Sequence, residues 1–138
     1  MPLISGDGLS QTVAELSRRR VKLYHACQLR DLKSYLQVGG VPSRNLLVSR
    51  NLPYTPFDTD KGDQQKGTWK LGFFNLSDFG YWFSRGKNNI PNPYGPILLC
   101  FDPKVIEYAN DISITIWSAG ASDFDRRLNG IAAEDVPR

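Results

Sequence analysis

The sequence predicts an α+β domain: a mixed, mostly antiparallel sheet with flanking helices. Three observations lead there. Apolar residues recur at helical spacing in two early segments, 11–19 and 29–38. Alternating or continuous apolar runs of strand length occupy 21–27, 69–75, 97–101 and 112–117. The chain has 138 residues, 41% of them hydrophobic, which suits a single domain spanning 1–138 with a real core.

Taken in order, residues 1–8 read as a flexible tail. Ser10 can cap a helix over 11–19 that places Val13 and Leu16 on one face. Val21 and Leu23 share one face of the strand 21–27. Leu29, Leu32, Tyr35 and Leu36 line up as the stripe of an amphipathic helix over 29–38, and Gly39-Gly40 ends it. Residues 41–45 leave in an extended conformation. The stretch 51–67, rich in Pro, Asp, Lys, Gln and Gly, reads as a long loop, a feature that in compact domains is usually functional or mobile. The strand 69–75 leads to Ser77, which can cap a helical turn through 78–83, and 85–96 is a second loop. The continuous apolar run 97–101 reads as a buried strand. Asp102-Pro103 opens a helical turn through Tyr108, Asp at the cap and Pro in the first helical position. A strand over 112–117, a turn over 118–122 and a weakly helical segment over 123–136 follow.

Several functional classes are excluded early. No stretch approaches the roughly 20 apolar residues that span a bilayer, and the N-terminus lacks the basic and apolar regions of a signal peptide. The expected location is the cytoplasm, where Cys27 and Cys100 remain free thiols. One histidine, His25, argues against a zinc site, so no metal is expected. P-loop, dinucleotide-fold and nucleophile-elbow motifs are absent. The net charge of +3 is unevenly spread: residues 1–70 carry 11 basic and 6 acidic side chains, the rest 6 and 8. The first half is therefore the better face for an anionic partner, although a solvated surface would look the same.

Three segments carry candidate chemistry. In Leu23-Tyr24-His25-Ala26-Cys27, a His near a strand end can hydrogen-bond a ribose hydroxyl, though a lone His there is more often structural. In Gly39-Gly40-Val41-Pro42-Ser43-Arg44-Asn45, glycine lets backbone approach a ligand and Arg44 can pair with a pyrophosphate. The plainer reading is a helix end followed by a surface Arg. In 79–89, Tyr81 and Trp82 beside Arg85 and Lys87 suit stacking on a nicotinamide or a nucleobase, as they also suit a core followed by a charged loop.

These pieces, in this order, resemble the DarT family of DNA-modifying toxins. Leu23-Tyr24-His25, the helix beginning Leu29-Arg30-Asp31-Leu32 and then Gly39-Gly40-Val41-Pro42-Ser43-Arg44-Asn45 look like that family's opening unit. Ile97-Leu98-Leu99-Cys100-Phe101-Asp102-Pro103-Lys104-Val105-Ile106 is similar to its apolar strand running into Asp-Pro-x-Val-Leu, and Ala119-Gly120-Ala121-Ser122 to its Gly-Asn-Ala-Ala-Ser turn. The likeness covers roughly residues 21–125, and the order of its motifs is more specific than any one of them.

The resemblance implies an ADP-ribosyltransferase-like fold and NAD as substrate. The implied activity is transfer of ADP-ribose to a nucleic-acid base, single-stranded DNA first, by the toxin of a toxin–antitoxin or phage-defence system. A cognate antitoxin is then a partner, and a membrane is not. His25, Cys27, Gly40, Arg44 and Tyr81 would bind NAD, with Cys27 standing where the family usually has Thr. Trp82, Arg85 and Lys87 would meet nucleic acid. A catalytic arginine is expected in the segment between the first family helix and the aromatic strand. Arg44 and Arg50 lie there, as do Lys61 and Lys66, which would not reproduce bidentate arginine chemistry, and Arg50 is assigned the catalytic place. The family's catalytic glutamate lies on a strand after the Ala-Ser turn. Here Glu134 is the only Glu beyond Glu107, in a segment that reads as helical. Either Glu134 serves from an unusual position, or the chain is part of a longer enzyme, or it is an NAD- or nucleic-acid-binding module without catalysis. An RNA or protein target is a further alternative, since a fold alone does not choose among targets.

Overall fold

The computed structural model describes residues 3–58, 60–78 and 95–115, together with the backbone pairing of 130–131. The sequence-predicted turn over 118–122 and the aromatic-basic segment 79–89 lie outside the described residues. The chain divides into two compact units, Leu23–Phe101 and Met1–Lys22 with Asp102–Arg138. Helices and small antiparallel sheets make up both, so the α+β class holds. In place of one larger mixed sheet, the described strands form three separate two-stranded antiparallel pairs.

In the unit holding both termini, strand β1 (Ile4–Ser5) pairs with β4 (Asp111–Ile112), and helix α1 (Asp7–Arg18) follows β1. Residues 3–8, expected in a flexible tail, thus include a paired strand and the first helical residues; Ile4 is only 1% exposed. The helix begins three residues before the expected Ser10 cap. Gly6 holds the cap position at φ 52, and Asp7 puts a carboxylate in the first turn, where the helix dipole favours it. Leu9, Thr12, Val13 and Leu16 form its buried stripe. A 3-10 helix (Pro103–Tyr108) starts as the sequence requires, with the Asp102 carboxylate accepting from Lys104 N at 3.0 Å and Pro103 in the first turn. The strand predicted over 112–117 appears as β4 and β5 (Ile114–Thr115), the latter paired with β6 (Gly130–Ile131). Extended pairing at 130–131 differs from the helical tendency read for 123–136.

The other unit is built on β2 (Leu23–Cys27) and β3 (Ile97–Phe101), paired antiparallel with His25 opposite Leu99. β3 is amphipathic, not wholly buried: Ile97, Leu99 and Phe101 are half-buried, whereas Leu98 and Cys100 are exposed. Helix α2 (Leu29–Val38) has the predicted bounds and ends at Gly39, whose φ of 83 and N–H bond to the Tyr35 carbonyl give a left-handed cap. Its buried face is not the expected leucine stripe. Leu29 and Leu36 are 71% and 74% exposed, while Asp31, Ser34 and Tyr35 are buried and Leu32 packs at the core edge. Two polar side chains can occupy that face because each is hydrogen-bonded to backbone, which offsets the cost of desolvation.

Cys27, Tyr35 and Leu47 form the buried centre, flanked by Leu32, Val41, Leu52, Tyr54, Ile97 and Leu99. Helix α3 (Arg44–Ser49) replaces the extended conformation expected at 44–45, because the Ser43 hydroxyl accepts from Leu46 N at 3.2 Å and caps it. Helix α4 (Asp60–Gln65) interrupts the long loop. The strand predicted over 69–75 does not form: Leu71 N turns back to the Thr68 carbonyl, and only Asn75 bridges, to Tyr24.

Candidate functional site

A cavity of about 170 Å³ lies within the unit Leu23–Phe101, with His25, Asp31, Tyr35, Arg44, Phe57 and Thr68 among the residues on its wall. Each wall residue is placed by an element already described. β2 carries His25; one turn apart on α2 are Asp31 and Tyr35; Arg44 opens α3. That helix is tied to the segment after α4 by a bond from Asn45 N to the Trp69 carbonyl at 3.0 Å.

His25 is held by both ring nitrogens. Nδ1 lies 2.8 Å from the Phe73 carbonyl oxygen, which can only accept, so Nδ1 carries the proton. Nε2 of the neutral ring is then an acceptor, and the Tyr35 hydroxyl donates to it at 3.1 Å. Burial is the main reason the imidazole resists protonation. The Phe73 carbonyl opposes that effect, the nearby Arg44 charge adds to it and Asp31 opposes it, leaving the pKa below the usual 6.5. Burial, then the Asp31 carboxylate, push the Tyr35 hydroxyl up to about 12. It remains a proton donor throughout the physiological range.

Arg44 is the unsatisfied group of the cavity. Its guanidinium carbon stands 5.0 Å from the Tyr54 ring centroid and 5.3 Å from that of Phe57, within the range of cation–π attraction. Nε approaches Asp60 Oδ1 only to 3.9 Å, the outer limit of an ion pair. Nη1 is buried without a hydrogen-bond partner among the described residues. A buried charged donor without an acceptor is costly, and an entering oxyanion relieves that cost. The acidic neighbours are already engaged: Asp31 accepts from Gln28 N and Thr55 N, Asp60 from Phe57 N, and Asp63 from the Thr68 hydroxyl. Burial also raises the Asp63 pKa, against the Thr68 hydrogen bond.

Of the residues singled out in sequence, His25 and Arg44 meet at this cavity. Cys27 sits in the buried centre, its thiol pKa raised by burial and then by Asp31, and it is not on the cavity wall. Gly40 is exposed, with open space where a side chain would stand. Arg50 caps the far end of α3 and is exposed. Tyr81, Trp82, Arg85, Lys87 and Glu134 lie outside the described residues. Sequence reading missed Tyr35 as the partner of His25, and Tyr54 and Phe57 as the walls of Arg44. The one available signal was Asp31 and Ser34, polar residues three apart on a helix whose apolar stripe was read elsewhere.

Compared with known proteins, the chain matches no family model, no curated protein and no solved structure. Among the described residues no helix is long and apolar enough to cross a membrane. Nor do the described residues contain a group of three or more His, Cys, Asp or Glu side chains that could hold a metal ion.

Proposed function

We propose that the chain is an NAD-dependent ADP-ribosyltransferase of DarT-like type that modifies a nucleic-acid base, single-stranded DNA first. The observation that carries the reading is Arg44: a guanidinium flanked by Tyr54 and Phe57, with Nη1 buried and unbonded beside a neutral His25. That donor fits a phosphate oxygen of the pyrophosphate, for which the planar guanidinium is well suited. The cavity is smaller than the roughly 300–1,000 Å³ of typical ligand pockets, so it accommodates one part of a dinucleotide.

Bound NAD⁺ supplies the ADP-ribosyl group, which passes to the acceptor base as nicotinamide leaves. Arg44 holds the phosphate end and fixes its distance from the wall. His25 keeps the Tyr35 hydroxyl aimed, and that oxygen retains a lone pair to accept from a ribose hydroxyl. His25 stays neutral, so it adds no charge next to Arg44. The DNA target is supported by the family resemblance and by the 11 basic against 6 acidic side chains of residues 1–70. Glu134 is proposed as the carboxylate that stabilises positive charge at the reacting ribose, and Tyr81, Trp82, Arg85 and Lys87 as the surface that stacks on and pairs with the strand.

The test is incubation with NAD⁺ and single-stranded DNA, duplex DNA or RNA oligonucleotides, read by intact mass. The expected result is one ADP-ribose added to single-stranded DNA, abolished in Arg44→Ala. NAD⁺ binding without transfer to any oligonucleotide would leave a binding module. Absence of NAD⁺ binding sinks the reading altogether.

A further inference from the structure

We infer that Asp31 and Ser34 are positioning residues that set the Arg44 guanidinium by gripping both chain neighbours of Tyr54; as a role in binding, this rests on the function proposed above. Asp31 Oδ1 accepts from Thr55 N at 2.6 Å, and the Ser34 hydroxyl donates to the Pro53 carbonyl. Tyr54, between the two anchored peptides, lies with its ring centroid 5.0 Å from the Arg44 guanidinium. Both anchors are among the most buried side chains, at 2% and 0% exposure.

Their placement is otherwise costly. A carboxylate and a hydroxyl on the buried face of α2 displace apolar side chains, and the two leucines at positions 29 and 36 face outward. Asp31 spends one oxygen on its own helix, accepting from Gln28 N at 3.1 Å, where it closes the first turn. Its second oxygen and the Ser34 hydroxyl reach a segment some 20 residues downstream in sequence. Tyr54 itself packs on the Cys27–Tyr35–Leu47 centre, so its ring is fixed from below by the core and along the chain by α2. An arginine side chain has many rotamers, and a ring held in one place removes most of that freedom before a ligand arrives. Ser34, off the cavity wall, and Asp31, which also borders the cavity, thus act on Arg44 through Tyr54.

The test has two arms. The first follows the side-chain proton resonances of Arg44, assigned by their absence in Arg44→Lys, and needs no ligand. In the native protein the adjacent rings shift them upfield. The shift should shrink in Asp31→Ala, in Ser34→Ala and in Tyr54→Leu, with Phe57 still contributing in the last, and Ser34→Ala is the mildest change should Asp31→Ala fail to fold. An unchanged shift in a folded Asp31→Ala or Ser34→Ala protein overturns the inference.

The second arm titrates inorganic pyrophosphate and NAD⁺ in a double-mutant cycle. Ser34→Ala, a neutral change off the cavity wall, should weaken pyrophosphate binding about threefold, a coupling common between residues that act as a unit, and should add no further loss once Arg44 is Ala. Equal losses in both backgrounds would show that Ser34 does not act through Arg44. Failure of the native protein to bind either probe overturns the NAD reading, while the resonance arm still decides where Arg44 is held and by what.

Discussion

The Tyr35 hydroxyl donates to His25 Nε2 at 3.1 Å while the opposite ring nitrogen donates to the Phe73 carbonyl, so the only imidazole in the chain is locked as one neutral tautomer. Protonating Nε2 would turn an acceptor into a donor facing a hydroxyl, inside a site where burial and Arg44 already disfavour a second positive charge.

A pH dependence of stability follows from that lock. The folded pKa of His25 lies below the ordinary 6.5, so between those two values the unfolded chain binds a proton that the folded chain refuses. The stabilisation is fully present above pH 6.5 and is lost as pH falls toward the folded pKa. In His25→Gln the slope of unfolding free energy against pH should flatten in this window. Denaturant titrations from pH 4 to 8 check it; an unchanged slope would show that His25 is not the linked group.

Arg44 and Arg50 should separate cleanly. Arg44→Lys keeps the charge but loses the planar donor set, and pyrophosphate or NAD⁺ affinity should drop about 10- to 100-fold, the scale of one or two charge-assisted hydrogen bonds. Arg50 is exposed at the end of α3. Arg50→Ala should leave ligand affinity unchanged and shift stability by less than about 0.5 kcal/mol. Calorimetric titration of both variants measures this, and equal losses would move the anion site away from the cavity.

How much of this was legible in the sequence depended on whether a pattern was local. The bounds of α2 were readable because a helical stripe and Gly39 act within one element, as does the Asp102-Pro103 start of the 3-10 helix. The buried face of α2 was not. Asp31 and Ser34 are tolerated inside only because Thr55 and Pro53 meet them there, and those partners are distant in sequence. The segment 69–75 misled for the opposite reason. Its apolar composition suits a strand, yet its Phe73 carbonyl serves the His25 ring and Leu71 N turns back on Thr68. For the site, sequence brought forward His25 and Arg44, whose residue types suggested ligands. It passed over Tyr35, Tyr54 and Phe57, whose roles arise from contacts across the fold.

Three glycines give a graded test of the backbone. Gly95 lies at φ 133, and a Cβ there would stand 2.1 Å from the Cys27 carbonyl oxygen, with backbone atoms on the other side of the clash. Neither partner is a side chain that can swing away, so Gly95→Ala should cost about 3 kcal/mol or more. Gly39 has a left-handed φ of 83 but open space around it, and Gly39→Ala should cost about 1 kcal/mol. Gly40 has neither constraint, so Gly40→Ala should be close to neutral. Urea denaturation ranks the three, and a Gly95→Ala protein as stable as Gly40→Ala would contradict the close approach to Cys27.

The last prediction sets the packed centre, through Leu47 of α3, against the two faces of α2. Leu47 is fully buried against Cys27 and Tyr35, and removing its side chain leaves a cavity in the packed centre. Leu47→Ala should therefore cost about 2–5 kcal/mol. Leu36, 74% exposed, loses little on substitution, and Leu36→Gln should fall within about 0.5 kcal/mol of the parent. Ser34→Val tests the polar side of the same helix. The extra methyl groups add apolar surface but leave the Pro53 carbonyl without its donor in a buried position, which outweighs the gain by about 1–3 kcal/mol. Chemical denaturation of the three variants should order them Leu47→Ala, Ser34→Val, Leu36→Gln from least to most stable. A stabilised Ser34→Val would show that this helix face favours apolar packing over the bond to Pro53.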